Sequence, residues 1–140
     1  NKYWDKTKGE AYHVTNIQQK GFTLREIIES LPRGGAECET YDFAMVICSL
    51  NAPTGQKQVD LISEAHSTGS EVQELIRVSA LFRRFVVVFG GDGDTWAAPK
   101  GWDLMVKMHI LTMRAAGLMV TDGTHYYRRM AKPAHLWHFN

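Results

Sequence analysis

The sequence predicts one α/β domain built on a mainly parallel sheet with helices on both faces. Three observations predict it. Phe85-Val86-Val87-Val88-Phe89 is an unbroken apolar run with three β-branched residues, which suits a strand buried on both faces. Residues 41–50 form a second strongly apolar run, and Leu118-Met119-Val120 a shorter third. Amphipathic helical patterns separate these runs, and alternation of strand and helix gives a parallel sheet joined by right-handed crossovers.

At 140 residues the chain fits a single domain, 1–140, that needs no metal or disulfide staple to bury a core. Its 44% hydrophobic and 22% charged content is ordinary for a soluble globule. A net charge of +1 supplies no broad electrostatic footprint for nucleic acid or anionic lipid, so neither is an expected partner. Cys48 lies inside an apolar run and reads as a small buried hydrophobe, and no disulfide to Cys38 is expected. No stretch has the length of a membrane span or the pattern of a signal peptide. No cofactor is expected.

In chain order, residues 1–10 read as a polar arm anchored only by Tyr3 and Trp4. Residues 11–17 alternate weakly and suit a short strand near an edge. Gly21 breaks the chain, and Thr23-Leu24-Arg25-Glu26 then has capping-box spacing. Leu24, Ile27, Ile28 and Leu31 share a helical face, and Pro32 ends the helix. Residues 33–40 read as a loop, 41–50 as a buried strand, 51–55 as the loop at its carboxyl end, 59–65 as a short helix and 66–69 as a turn. Ser70-Glu71-Val72-Gln73 has capping-box spacing again, opening a helix with Val72, Leu75, Ile76, Ser79 and Phe82 on one face. After the central strand, residues 92–101 read as a loop. The next helix, 103–116, carries Leu104, Met108, Leu111 and Ala115 at core spacing, with Gly117 as its C-cap. The strand 118–120 ends in Thr121-Asp122-Gly123. Folds of this kind open with a strong buried strand, and none precedes residue 11. Either the sheet is small or a first strand belongs to sequence not present here.

The loops after the three strands meet on one rim of a parallel sheet, where such folds hold their ligands. Asp92 and Asp94, with Asp122, suit a divalent cation; the competing reading is a tight turn with Asp94 as a helix cap. Asp122-Gly123-Thr124-His125 places a carboxylate three residues before an imidazole, an arrangement that fixes the tautomer and raises basicity for general-base work. His135 and His138 form a second pair, too sparse alone for zinc. Asn51, at a strand end, suits donation to an oxyanion, or simply a turn before Ala52-Pro53. Arg128, Arg129 and Lys132 among Tyr126, Tyr127 and Trp137 suit phosphate contact or a solvated edge.

From Gly21 onward the sequence resembles the SGNH (GDSL-like) hydrolase family. The resemblance rests on Lys20-Gly21-Phe22-Thr23-Leu24 before a helix, on residues 41–47 leading to Ser49-Leu50-Asn51, and on a histidine near the C-terminus. It implies a three-layer, flavodoxin-like fold and an ester or acyl substrate. Gly21 and Asn51 map onto the family's oxyanion donors. The late Asp-x-x-His maps onto Asp122 and His125, or onto His138 with His135 at the aspartate's place. The family's Gly-Asp-Ser nucleophile block has no counterpart here, and Ser30, Ser49, Ser63, Ser67, Ser70 and Ser79 all lack its glycine context. The implied domain is therefore either active with a nucleophile not identified, or a degenerate relative. A second resemblance, of residues 86–94 and the following helix and strand, is to NYN/PIN-type nucleases. It would recruit Asp92, Asp94 and Asp122 for magnesium, with Asp42 or Asp60 as a further acid. A third reading is a non-catalytic α/β module in a larger assembly, with a protein partner covering an open sheet edge.

Overall fold

The computed structural model describes residues 2–5, 10–13, 15, 23–50, 60–91 and 100–124. Its elements are β1 (Lys2–Asp5), β2 (Glu10–His13), α1 (Leu24–Ser30), α2 (Gly35–Cys38), β3 (Ala44–Leu50), α3 (Leu61–Ser79), β4 (Phe85–Gly91), α4 (Trp102–Ala115) and β5 (Met119–Asp122). No helix among the described residues is long and apolar enough to cross a membrane.

The expected parallel sheet is present. β3, β4 and β5 lie in that order, β4 in the middle, every pairing parallel. Two successive crossovers run in the same direction across the sheet. With right-handed connections, that places α3 and α4 on the same face. α1 packs on α3, α3 on α4, and α4 over β4 and β5. Pleat parity then decides what is buried. Val46 and Cys48 of β3, Phe85, Val87 and Phe89 of β4 and Val120 of β5 point under the helices and join one core with Ile28, Val72, Leu75, Val106 and Met113. Phe89 is fully buried, a side chain whose removal from water contributes about 1.5–3 kcal/mol.

The opposite face is as apolar but uncovered. Met45, Val86 and Met119 stand in one cross-strand row, Ile47, Val88 and Thr121 in the next. Phe43 and Met45 are each 52% exposed, Ile47 41% and Met119 68%. Among the described residues the helices lie against one face of the sheet only.

Local chemistry explains the element ends. Thr23 and Glu26 form the predicted capping box, with Thr23 Oγ1 accepting from Glu26 N at 3.2 Å and Glu26 Oε1 accepting from Thr23 N at 3.1 Å. Arg25 donates to Glu74 and lies near Glu71, tying α1 to α3. The hydrogen bond from Arg25 holds the Glu74 carboxyl below its ordinary range, whereas burial pushes that of Glu71 up. At the end of α4, Gly117 takes φ +93°, while Gly117 N donates to Arg114 O and Leu118 N to Met113 O. This left-handed closure is the stop expected of Gly117.

Five local expectations are corrected. The arm at residues 1–10 supplies β1, which pairs antiparallel with β2 in a separate two-stranded sheet. The loop at 33–40 contains α2. The short helix expected at 59–65 and the helix expected from Ser70 are one element, α3, which runs from Leu61 unbroken through the expected turn at 66–69, capped by Asp60 Oδ1 on the amides of Ile62 and Ser63. The stripe Leu61, Ala65, Thr68, Val72, Leu75 keeps helical spacing across the supposed turn, and burial of that stripe outweighs the weak propensity of Ser-Thr-Gly. α4 begins at Trp102, one residue before its expected start at 103. Finally, α4 turns the other way. Trp102, Met105, Val106, His109, Ile110 and Met113 are buried, whereas Leu104, Met108 and Leu111 are exposed. Both stripes avoid Asp103, Lys107 and Arg114. The stripe with the indole, two methionines, Val106 and Ile110 offers more volume to the sheet and is the one that packs.

Candidate functional site

The carboxyl ends of β3, β4 and β5 come together as the topology requires. Ser49 pairs with Gly90 and Leu50 with Gly91, while Asp122 is the register partner of Phe89. The helices after β3 and β4 begin at the same rim. A Cβ on Gly101, the N-cap of α4, would stand 2.9 Å from Leu61 Cδ2 at the start of α3. The φ of +90° is what calls for glycine at residue 101, since the Leu61 side chain could give way to a methyl.

β4 and β5 are locked together here by main-chain approach. An ideal Cβ on Gly90 would lie 2.6 Å from Thr124 N and 2.7 Å from Thr124 Oγ1. That approach lets Gly91 N donate to Thr124 Oγ1 at 3.1 Å and Gly123 N to Phe89 O at 3.1 Å. Asp122 Oδ1 in turn accepts from Thr124 N at 2.9 Å, and helical backbone begins at Thr124. Asp122 thus has the geometry of an N-cap for the chain leaving β5. Its side chain is exposed and sits on the helix-covered side of the sheet by parity with Val120.

Of the residues expected for the hydrolase site, Asp122 is the one described, and it stands on the rim. Gly21, Asn51, Asp92, Asp94, His125, His135, His138 and the basic cluster at Arg128, Arg129 and Lys132 lie outside the described residues. The chain positions next to Asn51 and Asp92, Leu50 and Gly91, are register partners at this rim. Asp42 precedes β3 at the opposite, amino end of the sheet, and Asp60 caps α3 with a carboxyl held low by the hydrogen bonds from Ser63. Among the described residues no group of three or more His, Cys, Asp or Glu side chains could hold a metal. Ser49 is the serine on the rim, half-buried at the end of β3. Ser30 and Ser79 bond back to helical carbonyls and Ser63 to Asp60, as helix-bound hydroxyls do.

Two side chains that the sequence did not single out become prominent. Trp102 and His109, seven residues apart on the inner face of α4, are 5% and 7% exposed, and neither Trp102 Nε1 nor His109 Nε2 has a hydrogen-bond partner among the described residues. Their seven-residue spacing was the available signal. His109 packs toward Gly69 of α3, whose Cβ would stand 3.7 Å from His109 Cε1, and burial pushes its imidazole below the usual histidine range. Cys38 and Cys48 are buried and not joined in a disulfide; Cys38 Sγ donates to Pro32 O at 3.2 Å, and burial pushes its thiol up, away from the reactive thiolate. A cavity of about 330 Å³, of the size that small ligands need, lies at the other end of the molecule. Its lining includes Ile76, Phe82, Phe85 and Leu118.

No protein-family model, curated protein or solved structure matches the chain.

Proposed function

We propose that the chain is a three-layer, flavodoxin-like domain of the SGNH-hydrolase kind that acts on an ester or acyl substrate at the carboxyl rim of its sheet. The observation that carries this reading is the parallel register, which puts the ends of β3, β4 and β5 side by side with Asp122 among them. Asp122 orients His125, or His138 serves as the base; Gly21 and Asn51 donate to the oxyanion. The second helical layer of such a fold would cover the row of Met45, Val86 and Met119. The reaction needs a serine that is not identified here: Ser49 stands at this rim but shares the open face with Met45 and Ile47, opposite the side of Asp122. A fluorophosphonate probe tests the reading: labelling of one serine, lost in the His125→Ala or His138→Ala protein, is expected. Absence of label on every serine overturns it.

A second reading is favoured by a different observation. α4 exposes Leu104, Met108 and Leu111 while burying its other face, and the sheet leaves Met45, Ile47 and Met119 open. A helix apolar on both sides belongs inside a larger core, and large exposed apolar patches mark interaction sites. In this reading the domain is a non-catalytic module whose partner covers these surfaces. Silence toward the probe, together with a defined complex broken by Leu104→Glu and Met119→Glu, would select it.

A further inference from the structure

α4 is apolar on two opposite sides, and the fold uses one of them. Trp102, Val106, His109 and Met113 face the core. Leu104, Met108, Leu111 and Ala115 repeat at helical spacing on the other side, and the first three are each more than half exposed. A helix that only had to cover its own sheet would carry polar residues there. α3, packed beside it, does so: its exposed positions include His66, Ser70, Gln73 and Arg77.

The open face of the sheet is the complementary surface. Its two cross-strand rows, Met45-Val86-Met119 and Ile47-Val88-Thr121, contain no charged residue, so covering them leaves no charge buried and unpaired. Its dimensions match those of one helix. α4 has 14 residues and is about 21 Å long. β3 and β4 have 7 residues each and run about 23 Å. β3 and β5 flank β4 and so lie about 10 Å apart, and a helix with its side chains is about 10–12 Å across. Met45 and Met119 on the sheet and Met108 on the helix are unbranched side chains that adapt to a partner's contour.

We propose that a second copy of this chain docks here, the outer stripe of its α4 lying along the open face of the first copy's sheet. Within one copy α4 covers the opposite face of the sheet, so the two surfaces point in opposite directions. The contact is therefore heterologous. Copies stack head to tail, and each sheet receives its second helical layer from the next copy. A footprint of about 21 by 11 Å is at the small end for a specific interface, so association is reversible and rises with concentration. The proposal rests on the module reading above and names the partner as the chain itself.

Sedimentation velocity of the full chain, from micromolar to near-millimolar concentration, reads the assembly. A mass that rises past the dimer is expected. Two variants separate the surfaces: Leu104→Glu with Met108→Glu spoils the helix stripe, and Met45→Glu with Met119→Glu spoils the sheet face. All four side chains are more than half exposed, so each protein keeps its fold, which circular dichroism checks. Each variant alone should be monomeric. Their equimolar mixture should give a one-to-one dimer and nothing larger, since one intact stripe meets one intact face. A parallel measurement needs no substitution at either surface: photo-methionine in a mixture of light and ¹⁵N-heavy parent chains should give crosslinks between chains from Met108 to Met45 or Met119. A parent chain that stays monomeric or saturates as a dimer, a stripe variant that still pairs through its sheet, or a mixture that stays monomeric overturns the proposal. If the monomeric chain instead forms a defined complex with a different protein, the module reading stands without it; with no complex of either kind, both fall.

Discussion

Replacing Gly90 with alanine would drive a methyl group into the main chain of β5's exit. Propensity alone argues the other way, since alanine in place of glycine stabilises by about 0.4–1 kcal/mol where the backbone accepts it. Here it does not. The new carbon would stand 2.6 Å from Thr124 N and 3.0 Å from Gly123 C, both main-chain atoms that no rotamer change can remove. Relief requires the ends of β4 and β5 to part, which strains the bonds from Gly91 N to Thr124 Oγ1 and from Gly123 N to Phe89 O. Overpacking of this kind costs about 1–3 kcal/mol, and each weakened hydrogen bond adds roughly 1. A net loss of about 3 kcal/mol is expected, equivalent to a fall in Tm of about 10 °C for a chain of this size. Thermal melts by circular dichroism and urea midpoints measure it. Thr124→Ala, combined with Gly90→Ala, should restore little, because it removes Oγ1 but leaves the amide nitrogen in place. Gly91→Ala, one position on, is the control and should stay within about 0.5 kcal/mol of the parent protein. A Gly90→Ala protein as stable as the parent would refute the close approach at the rim.

Three further outcomes are expected. Asp122→Ala should lower stability by about 1 kcal/mol through loss of the bond from Thr124 N, while Asp122→Asn keeps most of it; urea midpoints separate the two. His109 has its folded-state pKa lowered by burial, so the unfolded chain takes up the proton more readily. Stability is then full above the ordinary histidine pKa near 6.5 and falls as the pH drops through and below it, a dependence that urea midpoints between pH 8 and 5 should show and that His109→Met should flatten. Leu104→Glu with Met119→Glu should leave stability within about 0.5 kcal/mol of the parent in the isolated chain, because both positions are exposed, yet reduce self-association in light scattering.

The sheet was legible because Phe85 to Phe89 and most of residues 44–50 are apolar; the exposure of one of its faces among the described residues was not. The capping box at Thr23 and the stop at Gly117 were legible because each is a local hydrogen-bonding requirement with few residue solutions. The orientation of α4 was not, since Leu104, Met108 and Leu111 repeat as regularly as Trp102, His109 and Met113. Periodicity counts stripes and cannot choose between two of them; packing volume does. Nor was the continuity of α3 legible, because Thr68 and Gly69 look like turn residues until Val72 and Leu75 are seen on the same stripe. At the candidate site, Asp122 was read from its spacing to His125. Trp102 and the glycine pair at 90 and 91 escaped because an unpaired donor and a main-chain contact exist only in three dimensions.

The order of strands also governs how the chain must be made. Ala44 finds its partner Phe85 only after roughly 40 further residues have been added, and Val86 waits almost as long for Met119. A helix separates each pair of neighbouring strands in the three-stranded sheet and every pairing is parallel, so no hairpin can form early and hold the others in place. On a ribosome, β3 emerges as a greasy, unpaired ribbon well before β4 exists. Pairing between segments so far apart in the chain slows assembly and leaves that ribbon exposed in the meantime.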